Sequence, residues 1–139
     1  ARMNGNNDFE IHDYSDGSVA AHLSPGDGVW QSGSDSRIKK DIESVGSVLD
    51  SINNLRPVTY KGKYSKLDTA RVGLIAQEVK PHFPLVVSGT ESNFKEVLEG
   101  DHTTYSGGLS IGYTNFVPYL IKAIQELSTK VTALEAQIN

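Results

Sequence analysis

Towards its end the chain sets an apolar residue at alternating steps of three and four: Val117, Leu120, Ile124, Leu127, Val131, Leu134 and Ile138. That spacing winds one narrow apolar stripe along a helix and keeps it there for three heptads. With Val117 at position a, the a positions carry Val, Ile, Val and Ile, and every d position carries Leu. Lys130 then falls at g and Glu135 at the following e, the pairing expected between parallel neighbours. A single helix of about 23 residues is marginal in water, so the stripe calls for partner helices. The alternative is a terminal helix packed on its own domain. β-branched a with Leu at d favours two strands, whereas Phe116 at g and Ile121 at e widen the apolar face of the first heptad. The residues alone lean towards a dimer.

Upstream, two segments of unlike character meet near Ser34. Residues 1–33 are rich in Gly, Asn, Asp and Ser, with short alternations at Phe9-Glu10-Ile11-His12 and Val19-Ala20-Ala21-His22-Leu23. These predict short strands, with a turn at Ser24-Pro25-Gly26-Asp27-Gly28. So little apolar surface predicts a segment either disordered or paired with other chains in a β-rich shaft. From Ser34 onward, Val45, Val48, Leu49, Ile52 and Leu55 recur at helical spacing until Pro57, which predicts a helix over about 42–55. Val58-Thr59-Tyr60 and Val72-Gly73-Leu74-Ile75 predict strands, the second leading into a short helix over 76–80 that Pro81 ends. Leu85-Val86-Val87 and Leu109-Ser110-Ile111-Gly112-Tyr113 are further strand candidates separated by a polar stretch. The expected fold class is α+β, with the terminal helix over about 114–138.

Composition excludes several function classes. The net charge of −4, with lysines and arginines scattered apart from Arg37, Lys39 and Lys40, offers no electrostatic footprint for nucleic acid. The chain has no cysteine, which removes disulfides, thiolate catalysis and cysteine metal sites. No apolar run approaches the roughly 20 residues that span a bilayer. His12, His22, His82 and His102 show no ligand spacing, so no metal and no cofactor are expected. Ser106-Gly107-Gly108 precedes a strand pattern rather than opening a helix, unlike a phosphate loop. Trp30 packs either near the junction or in an ordinary core or surface role, and Gln77 and Glu78 are expected to make structural hydrogen bonds or intersubunit contacts, with a catalytic carboxylate at Glu78 as the alternative.

The junction itself reads Ser34-Asp35-Ser36-Arg37-Ile38-Lys39. A lysine serves a serine as general base only when its amine is neutral. At an ordinary pKa of ~10.4, about one lysine in a thousand is neutral near pH 7.4. Burial and a nearby cation such as Arg37 both lower that value, so this chemistry needs a dry site. Positions five apart point ~140° from one another on a straight helix and to opposite faces of a strand. Ser34 and Lys39 therefore meet only if the chain turns between them, or if Lys39 comes from a neighbouring subunit. Without further matches, Ser34 and Asp35 would read as turn or capping residues and Arg37, Lys39 and Lys40 as a solvated face.

Further matches exist. Ser34-Asp35-x-Arg37-Ile38-Lys39-x-Asp41-Ile42 resembles the opening of the S74 peptidase family, the C-terminal intramolecular chaperone domains of phage tail spikes, tail fibres and endosialidases. Asp41 stands where that family often has Asn. Leu49, Ile52 and Leu55-Arg56-Pro57-Val58-Thr59-Tyr60 resemble its first helix and following strand. Gly73-Leu74-Ile75-Ala76-Gln77-Glu78-Val79, followed by Pro84 and Leu85-Val86-Val87, is similar to its internal motif, and Tyr113 through Leu127 to its terminal helix. The resemblance implies cleavage between Gly33 and Ser34, with Ser34 as nucleophile, Lys39 as base, and Asp35 and Arg37 supporting the turn or the dyad. It implies a homotrimer joined through the terminal helices, residues 1–33 as the end of a β-rich fibre or spike passenger, and residues 34–139 as the chaperone. It also places assembly in the host cytoplasm, with the passenger entering the virion tail. Two rivals are a trimerisation cap that never cuts, and the same self-cleaving domain in a membrane-bound transcription factor. Residues 1–33 lack the basic character of a DNA-binding portion.

Overall fold

The computed structural model describes residues 2, 3, 5, 9–12, 19–23 and 28–139, in two compact units, Ala1–Ser44 and Val45–Asn139. The first unit holds four short antiparallel strands in sequence order: β1 (Arg2–Met3), β2 (Phe9–His12), β3 (Val19–Leu23) and β4 (Trp30–Gln31). Both expected strands are present, and they pair within one chain, with Phe9 opposite Leu23 and Leu23 opposite Trp30. Trp30 meets Phe9 edge to face at 6.1 Å and is half exposed. The expected turn at Ser24–Gly28 lies outside the described residues as far as Asp27; Gly28 follows at φ +68°.

The second unit is built from hairpins and helices: α1 (Leu49–Asn53), β5 (Val58–Lys61), β6 (Ala70–Gly73), α2 (Ala76–Val79), β7 (Val87–Glu99), β8 (His102–Ile111) and α3 (Phe116–Ile138). The chain is thus α+β. Strands β5 and β6 pair antiparallel with Val58 opposite Gly73, and β7 pairs β8 with Val87 opposite Ile111. Val48, Leu49, Val79, Phe83, Val86, Phe116 and Ala123 form the core, with Ile52, Leu74, Ile111 and Tyr119 against it. Phe83 is its hub, 5.5 Å from the Phe116 ring and 4.8 Å from that of Tyr119.

Two expectations are corrected. The helix expected from 42 begins only at Leu49; Gly46 and Ser47 break the run, leaving Ile42 and Val45 exposed. Of Leu85-Val86-Val87 only Val87 is in a strand, because Pro84 opens a 3-10 turn over Pro84–Val86 that carries Val86 into the core. The polar stretch after it, for which no element was expected, forms most of a hairpin arm. Its register slips between Thr90 and Lys95, where Gly107 (φ +71°) and Gly108 (φ +87°) supply the backbone and Asn93 Oδ1 accepts from the Gly108 amide at 2.8 Å. Tyr105 stacks on Phe94 and contacts Tyr64, while Glu96 accepts from Lys63 at 3.2 Å and from the Tyr64 hydroxyl.

Helix α3 presents two different faces. Phe116 and Ala123 are buried and Tyr119 and Glu126 half-buried, a 3-4-3 row turned towards the core of the second unit. The heptad row lies one residue, about 100°, around the helix. Its members stay open, from Leu120 at 47% to Ile138 at 83% exposed. No helix among the described residues is long and apolar enough to cross a membrane.

Candidate active site

The junction is shaped by a 3-10 turn over Ser36–Ile38. Asp35 caps it: Oδ1 accepts from the Arg37 amide and from Arg37 Nε, both at 2.9 Å, and Oδ2 from Nη2 at 2.6 Å. Backbone bonds from Ile38 to Asp35 at 3.1 Å and from Lys39 to Ser36 at 3.2 Å close it. The Arg37 guanidinium and amide draw the Asp35 carboxyl down to about 2, and Asp35 in turn raises Arg37. A charge-assisted fork over two residues thus pins a turn too short to hold itself.

The turn reverses the chain between positions that neither a helix nor a strand would bring together. Lys39 Nζ lies 2.7 Å from Ser34 Oγ, donating to it. A neutral amine at that distance would receive the hydroxyl proton instead, which is the geometry of a general base. Both residues are exposed. Gly33 precedes them, exposed and outside any strand, and a Cβ there would sit 3.0 Å from Ile38 Cδ1. Asp41, just beyond, adopts φ +52°, a left-handed conformation that Asn tolerates best among non-glycine residues.

The motifs farther along serve the scaffold. Arg56, after α1, forms a two-armed ion pair with Glu78 of α2, which raises the Arg56 pKa. Gly73 is required by close approach: a Cβ would stand 2.7 Å from the Tyr113 hydroxyl and 3.2 Å from the Tyr60 ring. That hydroxyl accepts from the Leu74 amide at 2.9 Å. The heptad residues Val117, Leu120, Ile124, Leu127, Val131, Leu134 and Ile138 contribute nothing to the buried core of their own unit. His12 contacts Glu10 at 2.9 Å, and among the described residues no three His, Asp or Glu side chains gather as a metal site.

Glu126 was invisible to pattern. On α3 it accepts from Ser47 Oγ and from the amides of Val48 at 3.0 Å and Leu49 at 3.1 Å, capping α1 from 77–79 positions away. Ser47 and those amides hold its carboxyl below the usual range.

No curated protein matches the chain. Residues 34–88, from the nucleophile candidate to the start of the hairpin arm, match the family model Peptidase S74, described as chaperone of endosialidase.

Proposed function

We propose that the chain is an intramolecular chaperone that associates as a trimer through α3, holds its upstream β segment in register, and then cuts itself free between Gly33 and Ser34. The observation that carries this reading is the 2.7 Å approach of Lys39 Nζ to Ser34 Oγ across a turn fixed by Asp35 and Arg37. Lys39 takes the hydroxyl proton as Ser34 Oγ attacks the Gly33 carbonyl carbon. The tetrahedral intermediate expels the Ser34 nitrogen, which leaves as an amine after receiving that proton from Lys39. The product is an ester of Gly33 on Ser34 Oγ. Water then hydrolyses it, releasing the Gly33 carboxylate and restoring the hydroxyl on a new N-terminal serine.

Exposure of the pair supports an assembly requirement. A lysine base needs a dry setting, and Ser34 and Lys39 are open to solvent in one chain. Neighbouring chains are therefore assigned the role of excluding water, so cutting waits for association. The exposed heptad row on α3 supports association, and three strands is the number assigned here. Assembly would run in the host cytoplasm, the passenger then joining a virion tail.

Intact mass under denaturing conditions tests the cut, in oligomeric wild type beside Ser34→Ala and Lys39→Ala. A fragment starting at Ser34 in the wild type alone is expected. Full-length chain in all three, despite assembly, would leave a permanent trimerisation cap.

A further inference from the structure

A coiled-coil helix has no need of a carboxylate at the position Glu126 occupies. Counting from Val117 as a, Glu126 falls at c, off the a/d stripe and off the flanking e and g positions. Its partners lie elsewhere: Ser47 Oγ and the amides of Val48 and Leu49. Helix α1 is five residues long, and Val48 at its N-cap offers no side-chain acceptor. Its first-turn amides, which no intrahelical carbonyl satisfies, are served from α3 instead. Ser47 stands eight residues after Lys39 in the chain.

We propose that Glu126 is a positioning residue that couples association of α3 to ordering of the segment following the scissile junction. The carboxylate reaches residues 47–49 only when α3 is helical through that turn. Phe116 and Ala123 anchor the start of α3 in the core of its own unit, but beyond Ala123 no residue of the helix is buried, so partner helices are what hold the turn that carries Glu126. Coupling of this kind is reciprocal: whatever orders 47–49 also favours helical, association-ready α3. Regulation of cleavage by this route rests on the self-cleavage reading above, whereas the coupling itself does not.

The test separates the two. Amide hydrogen exchange at Val48 and Leu49 is followed in the full chain carrying Ser34→Ala, alone and combined with Glu126→Ala, Glu126→Gln or Leu127→Lys, with oligomer mass recorded for each. Glu126→Ala is expected to keep the oligomer and speed exchange at both amides at least tenfold. Glu126→Gln, which retains a neutral acceptor of the same size, should fall between. Leu127→Lys should dissociate the chains and speed the same two amides although Glu126 is intact. With Ser34 restored, cleavage should slow about tenfold in Glu126→Ala and partly recover in Glu126→Gln. Unchanged exchange at Val48 and Leu49 in dissociated Leu127→Lys would overturn the coupling. Faster exchange in Glu126→Ala with an unaltered cleavage rate would overturn the positioning role. A wild type that never cuts would defeat the cleavage reading, and the exchange data would still decide the coupling.

Discussion

At the scale of single residues, the Asp35–Arg37 fork makes a prediction with a definite sign. The Asp35 carboxyl is lowered from 3.8 to about 2 in the folded turn. Its stabilising contribution is therefore complete above the unfolded value and is lost as pH falls through the folded one. A carboxyl NMR titration is expected to show a midpoint near 2, returning towards the ordinary carboxylate range in Arg37→Ala; a wild-type midpoint near 4 would mean the fork does not persist in solution. The pairing of Ser34 with Lys39 was legible only as a condition, because spacing alone demands a turn without supplying one. The turn over Ser36–Ile38 supplies it, capped at its start by Asp35 and closed at its end by the Lys39 amide on the Ser36 carbonyl. Asp41 is the reverse case, where a residue noticed by resemblance acquires a physical reason: its φ of +52° suits Asn.

Among the elements, what pattern could reach was what local chemistry decides. Heptad spacing located α3, and Pro81 correctly closed the short helix α2. Helix α1 was overdrawn because Ile42 and Val45 share its apolar rhythm, while its true start depends on Glu126, remote in sequence. The hairpin arm escaped notice because Ser88 to Asn93 has no apolar alternation; its strands are mostly exposed and held by backbone pairing. Glu126 itself gave no signal, since a charged side chain off the seam of an amphipathic helix reads as solvated. The heptad row makes its own prediction at this scale. Leu134→Lys sits beyond every contact α3 makes with its own unit. It should therefore abolish association, read by sedimentation, while leaving the near-ultraviolet signature of the Phe83, Phe116 and Tyr119 cluster in place. Loss of both together would mean that the second unit cannot stand without its partners.

Over the whole molecule, strand pairing joins neighbours in sequence, and the contacts of α1 with α3 bring together the more distant parts of the second unit. Local pairing is quick to form, so the second unit can fold without waiting for strand pairing between distant parts of the chain. Its core is small and centred on one ring. Phe83, 2% exposed, touches both aromatic anchors of α3, so Phe83→Ala should cost about 3–5 kcal/mol in denaturant unfolding. Against the ~5–15 kcal/mol typical of a domain, that approaches collapse. A loss under 1 kcal/mol would show that α3 docks elsewhere. The two faces of α3 also set what a saturation scan would accept. From Phe116 to Glu126 two sides are spoken for, and the permitted alphabet is narrow nearly everywhere. From Leu127 to Ile138 every residue is exposed within its own chain, so only the heptad letters and the Lys130 and Glu135 pairing positions are constrained and drift is free elsewhere.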